Sequence, residues 1–167
     1  MKKISLCLFL AICTALCHSG CGGGEKERAY RAFCTAYEGE ARWEINGVAY
    51  AGYLTIGEGE TPADRGAGIR YTTPVSLAGM QVSACEEGAR LSLGGSTHLL
   101  TGEAAARFLA VFRLFSPVAA TPDATGALRY TAGQESYTIR LDETSLVREI
   151  CYISPALTLS LWPGGED

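Results

Sequence analysis

The chain has 167 residues and a formal net charge of −4, with 14 Lys and Arg set against 18 Asp and Glu. The arginines are scattered, which excludes the concentrated basic face that nucleic-acid binding requires. The length suits one domain with a real core, able to bury about two thirds of its unfolded surface. In chain order, Lys2 and Lys3 give a positive start, and residues 4–15 are apolar but too short and wrongly flanked to span a bilayer. Residues 1–20 therefore read as a targeting signal. His18-Ser19-Gly20-Cys21 and Gly22-Gly23-Gly24 follow it.

Small residues before a cysteine, with a glycine run behind it, resemble the lipobox of bacterial lipoproteins. The resemblance implies that Cys21 is diacylated on its sulfur and becomes the first residue after cleavage. The chain would then be lipid-anchored to the cell membrane on its extracytoplasmic side. His18 stands where that family usually has Leu or another aliphatic residue. Leu16-Cys17 is a second candidate site, but Leu directly before the cysteine fits less well than Gly. An ordinary secretory signal with an incidental cysteine is the plainer reading. Residues 1–20 carry two lysines and no acid, so their removal leaves 147 residues with a net charge of −6. Such a domain is not drawn electrostatically to an anionic membrane. Attachment would rest on acyl chains, and one chain alone holds only marginally.

Residues 21–25 are expected to be the lipidated cysteine and a glycine-rich tether, residues 26–163 a single β-rich domain, and residues 164–167 a polar tail. The domain keeps Cys34, Cys85 and Cys151, an odd count that leaves at least one thiol unpaired. No CxxC and no Cys/His cluster with metal spacing occurs, so no metal or cofactor is expected. Buried, inert thiols are the simpler reading, and one disulfide among the three stays open.

Tyr30, Phe33, Cys34 and Tyr37 recur at helical spacing and predict a helix over residues 26–37. Trp43 and Ile45 then alternate with Arg42 and Glu44. Asn46-Gly47 supplies the two positive-φ residues of a type I′ turn. Val48, Tyr50, Leu54 and Ile56 share one face of the next strand, where Gly52 suggests a bulge or bend. One long bent strand is the alternative. Residues 57–66 are a solvated loop. Alternation resumes at Ile69, Tyr71 and Thr73, at Met80, Val82 and Ala84, and at Leu91 and Leu93.

Residues 101–116 break that period. Phe108, Val111, Phe112 and Phe115 fall at i, i+3, i+4 and i+7, Thr101 is placed as the N-cap, and Pro117 ends the helix. Four strands close the chain. Their inward sets are Leu128, Tyr130 and Ala132; Tyr137, Ile139 and Leu141; Val147, Cys151 and Ile153; and Leu157, Leu159 and Leu161. No internal repeat suggests a solenoid.

About nine strands thus share one apolar and one polar face, which is the signature of an antiparallel sheet. A helix covers a width of about 10 Å and strands sit about 4.8 Å apart. Two helices shield roughly four strands by these spacings, so the sheet should curl. The expected fold is α+β: a curved antiparallel half-barrel or open barrel, with an N-terminal helix and one inserted helix on its concave face. This order of elements resembles the bacterial lipoprotein-sorting carriers (the LolA and LolB type). In it, the segments YAGYLTI and GIRYTTPVSLAGM look like strands two and three of such a chain. Those carriers are unclosed barrels that hold acyl chains under a helical lid. The resemblance implies an apolar cavity here, which Trp43, Tyr50, Leu54, Tyr71, Phe108, Phe112 and Phe115 would line. The basic residue with which such carriers switch between open and closed states has no position assigned from sequence.

The first reading is therefore a non-enzymatic, monomeric envelope lipoprotein binding an acyl chain or the lipid of another lipoprotein. A structural or protein-interaction lipoprotein with a closed, packed core is the second. An exported thiol enzyme pairing a cysteine with His98 is the third. No local signature supports it, and STHLL reads as a loop or strand end. Glu58, Glu60, Glu86 and Glu87 lie in turns, where acids are ordinarily solvated. Glu149 falls on an apolar face, so it needs an arginine partner or sits at a strand edge.

Overall fold

The computed structural model describes residues 21–164. The signal segment 1–20 with its lipobox, the side chain of Cys21 and the end of the polar tail lie outside the described residues. Helix α1 (Cys21–Thr35) leads into β1 (Tyr37–Ile45), β2 (Val48–Ile56), β3 (Gly68–Thr73), β4 (Gln81–Cys85), β5 (Gly88–Leu93) and β6 (Ser96–Leu100). Helix α2 (Gly102–Leu109) and a 3₁₀ segment (Ala110–Phe115) follow. The chain then forms β7 (Thr121–Pro122), β8 (Leu128–Ala132), β9 (Glu135–Leu141), β10 (Val147–Ile153) and β11 (Thr158–Pro163).

All eleven strands belong to one unclosed antiparallel sheet in the order β6-β5-β4-β3-β2-β1-β11-β10-β9-β8-β7. Two meanders meet where β1 pairs with β11, Trp43 opposite Leu161. The first runs outward from the centre and the second runs back toward it. Helix α2 and the 3₁₀ segment connect the two edge strands. Helix α2 packs on β5, the 3₁₀ segment on β10 and β11, and α1 on β7 and β10. The α+β architecture is as expected, with two more strands than the nine.

The two additional strands are edges. β6 follows Gly94-Gly95, both at positive φ, a two-residue hairpin turn of the same kind as Asn46-Gly47. Its outer edge is free, so STHLL lacks the apolar alternation that marks a half-buried strand. β7 is two residues long and contains Pro122, as suits an edge.

Helix α1 takes in Gly22–Gly24, which the sequence placed in a tether, and stops short of Tyr37. That residue pairs with Ile56 as the start of β1. The β2–β3 register shifts between Ala51 and Gly52, so the expected bulge is present. A Cβ at Gly52 would run into the Arg70 carbonyl. Thr101 precedes α2 but makes no side-chain cap. The predicted single helix tightens after Leu109 into 3₁₀ geometry. Three residues per turn align Val111 with Leu114 and Phe112 with Phe115, and all four are buried.

β10 contradicts the predicted facing. Its register slips between Val147 and Glu149, and one extra residue reverses the period-two alternation beyond it. Ile150 and Tyr152 therefore face the core, while Ile153 is 52% exposed and Cys151 sits on the opposite face beside Ser160. The same slip takes Glu149 off the apolar face. It bonds Arg140 at 2.8 Å.

Candidate functional site

An antiparallel meander sends alternate connections to opposite ends of its sheet, and the two rims of this sheet differ in chemistry. One rim holds residues 57–67, 86–87, 123–127 and 142–146. These connections contain Glu58, Glu60, Asp64, Glu86, Glu87, Asp123, Asp142 and Glu143, with Arg65 as their one cation. The other rim holds the turns at 46–47, 74–79, 94–95, 133–134 and 154–157, and none of these contains a charged residue. Val48, Val75, Leu93 and Ile153 are exposed there.

The acidic rim is closed by hydrogen bonds. In the 57–67 loop, Thr61 and Asp64 cap each other, the Asp64 amide donating to Thr61 Oγ1 and the Thr61 amide to Asp64 Oδ2, both at 3.2 Å. This fixes Arg65. Its Nε donates to the Gly57 carbonyl at 2.7 Å and its Nη1 to the Phe115 carbonyl at 3.1 Å. Its Nη2 donates to the carbonyls of Cys34 and, at 3.2 Å, Thr35. One guanidinium thus ties the β2–β3 loop to the C-terminal ends of α1 and the 3₁₀ segment. Those ends present unpaired carbonyls and partial negative charge. Sequence reasoning missed Arg65, because its partners are main-chain atoms far away in the chain.

Two further loops on this rim share one design, Asp-x-Thr-x-x-x-Arg. Asp123 Oδ1 accepts from the Thr125 amide and hydroxyl and the Ala127 amide, and Oδ2 from Arg129 at 2.6 Å. Asp142 repeats this with Thr144, Leu146 and Arg148. The Thr125 hydroxyl, above all, holds the Asp123 carboxyl down at about 2. The Thr144 hydroxyl, helped by main-chain donors, lowers Asp142 in the same way.

The seven residues assigned to a ligand cavity fall into two places. Trp43, Tyr50 and Tyr71 form a trio on the inner face of β1–β3, with ring centroids 5.5–6.0 Å apart. The trio lies on the side of the uncharged rim, since Ile45 and Val48 pair across the adjoining turn. Phe115 instead stacks on Phe33 at 5.2 Å and meets Tyr37 and Phe112, below the acidic rim. Among the described residues no ring contact joins the two groups. Phe108 is half-buried beside the core, and Leu54 is fully buried within it. Tyr50 is half-buried, whereas Trp43 is 1% exposed. The indole nitrogen of Trp43 is buried and has no hydrogen-bond partner.

The 3₁₀ segment bridges the other half of the sheet. Arg113 lies over the Tyr152 ring at 4.7 Å and bonds Glu135 at 3.3 Å, and the Tyr152 hydroxyl donates to Glu135 at 2.9 Å. The helical segments pack chiefly on β5, β7, β10 and β11, and Trp43 and Tyr71 are buried in the same core cluster as Val111 and Phe112.

Cys34, Cys85 and Cys151 are free thiols. Burial pushes Cys34 up to about 11, and burial also raises Cys151. Both are therefore protonated and weakly nucleophilic at neutral pH. His98 stands on edge strand β6 opposite Leu91, two strands from the β4 thiol of Cys85. A cleft of about 440 Å³ beside Cys85 is lined by Pro62, Asp64, Glu86 and Leu109 at the acidic rim. Another, of about 400 Å³, is lined by Lys26, Arg129 and Arg140, whose charged ends already bond Gly126, Asp123 and Glu149. Neither cleft is lined by any of the seven ligand candidates.

No protein-family model matches this chain, and no curated protein matches its sequence. The functional reading therefore rests on geometry.

Proposed function

We propose that this protein is an envelope lipoprotein, anchored through Cys21, that holds an acyl chain between the inner face of β1–β4 and the 3₁₀ segment. One observation carries the reading. The Trp43–Tyr50–Tyr71 trio lines the inner face of β1–β3 just inside an uncharged rim, with Tyr50 half-buried there. An apolar, aromatic wall beneath an uncharged rim suits a hydrophobic ligand. Arg65 supports the same reading, because its guanidinium joins the loop, α1 and the 3₁₀ segment. Releasing its carbonyl partners would free the helical cover to move from the sheet, while the sheet ladder stays intact.

The second reading, an interaction lipoprotein with a closed core, is favoured by the near-complete burial of Trp43, Phe112 and Phe115. One experiment separates the two. Protein purified without detergent is extracted and analysed by lipid mass spectrometry, and a fluorescent fatty acid is titrated against it. Co-purifying lipid or saturable probe binding supports the acyl-binding reading. The absence of both leaves the closed-core reading standing alone.

A further inference from the structure

The Trp43 indole N–H is the one buried side-chain nitrogen or oxygen, among the described residues, that lacks a hydrogen-bond partner. Buried polar groups are nearly always paired, so an orphan donor calls for an explanation, and an acceptor brought by a ligand is one. Indole is a donor only. A pure hydrocarbon cannot satisfy it, whereas a ligand that carries an acceptor oxygen can. The nearest turns, at 46–47 and 74–79, hold no lysine or arginine to neutralise a carboxylate. That favours a neutral oxygen.

We infer that the trio is the seat for the carbonyl of an acylated ligand. Trp43 Nε1 donates to an ester or amide oxygen, and Val48, Val75 and Leu93 form the entrance. This rests on the acyl-binding reading above and adds to it the chemical class at one end of the chain. The entrance follows from the register. Trp43 pairs with Tyr50 and Ile45 with Val48, so the trio stands just inside the rim on which the three exposed aliphatic residues sit. Tyr50 stacks on the indole at 6.0 Å, Tyr71 is tilted against it at 5.5 Å, and the two tyrosines meet edge-on at 6.0 Å, so the three rings form one triangle. The carbonyl would reach Trp43 with its chain running inward and its polar head left at the rim.

The test is displacement of a bound fluorescent acyl probe from the full-length protein by three single-chain competitors of equal length. These are 1-palmitoylglycerol (ester), N-palmitoylethanolamine (amide) and 1-hexadecylglycerol, an ether without the carbonyl. One charge-free hydrogen bond predicts that the ester or the amide competes about 3- to 10-fold better than the ether. Whichever of the two is stronger identifies the linkage. Trp43→Phe keeps an aromatic ring and removes the donor, so it should abolish the preference for ester or amide over ether. Equal competition by all three with wild-type protein, a comparison that needs no variant to fold, overturns the Trp43 assignment and leaves acyl binding intact. No binding of the probe overturns both.

Discussion

The two rims of this sheet are built from different materials, although the same meander produces both. The acidic rim fixes its loops with carboxylates, threonines and arginines, and one guanidinium there gathers the ends of α1 and the 3₁₀ segment. The opposite rim has turns of Asn-Gly, Gly-Gly, Gly-Gln and small or aliphatic residues without a single charge. Exposed aliphatic side chains are ordinary when scattered. Val48, Val75, Leu93 and Ile153 lie on the uncharged rim, while Leu146 is exposed on the acidic one, so the rims differ chiefly in charge.

The comparison breaks most readily at Arg65. Arg65→Ala removes one donor group from four main-chain carbonyls in three segments. Hydrogen bonds to a charged donor contribute about 1.5–3 kcal/mol each, but the freed carbonyls regain water at this half-exposed site. A net loss of about 3 kcal/mol is expected, read as a lower urea midpoint. Hydrogen exchange should rise in α1 and residues 110–116 and stay unchanged at the β1–β2 turn. Arg65→Lys cannot reproduce the fork and should recover under half of the loss. A uniform rise in exchange would mean that Arg65 supports the whole fold and is no clamp.

Which parts of this arrangement were legible follows from where each signal is stored. Asn46-Gly47 and the helical spacing of Phe108, Phe112 and Phe115 are local patterns, and both predicted their elements. Gly94-Gly95 carried the same turn chemistry, but β6 behind it has little to bury and so shows no alternation. The facing of β10 could not be read, because the slip at Val147–Glu149 is fixed by pairing with β9 and leaves no mark on the alternation itself. The Asp-x-Thr-x-x-x-Arg repeat was open to reading at Asp123 and Asp142. A search for repeated strands and helices passes over a repeated loop. Of the seven residues proposed to line a cavity, the inward facing of Trp43, Leu54 and Tyr71 was readable from strand alternation. The division of the seven into two separate groups depended on tertiary packing.

Acid should separate the rims with a smaller effect. Asp123 is held down at about 2 and Asp142 is also lowered, so each favours the folded loop above the ordinary aspartate range. That contribution is complete near neutral pH and is lost as pH falls through about 4 toward 2. Below that, the amides of Thr125, Ala127, Thr144 and Leu146 lose their carboxylate acceptors. Their exchange should accelerate between pH 5 and pH 2, after correction for intrinsic rates, while the uncharged turns show no such step. Asp123→Asn, which keeps an acceptor oxygen but no charge, should flatten the step at its own loop and leave the Asp142 loop unaltered. A step of equal size at the 94–95 turn would show that acid acts on the sheet as a whole.

The smallest effect on stability, and the most informative for function, is expected at the uncharged rim. Val75 is 89% exposed, so Val75→Glu should shift stability by no more than about 0.5 kcal/mol. The charge matters for a different reason. A hydrophobic chain entering past the 74–79 turn must cross a zone that has no charge to hold a shell of water. A glutamate placed there keeps that water and must be skirted or desolvated. The association rate of an acyl probe should fall several-fold in stopped-flow fluorescence, with a much smaller change in its release. Glu58→Val on the acidic rim should leave both rates as they are. Equal slowing by the two substitutions would place the entrance at neither rim, whereas slowing by Val75→Glu alone ties access to the end where Trp43, Tyr50 and Tyr71 lie.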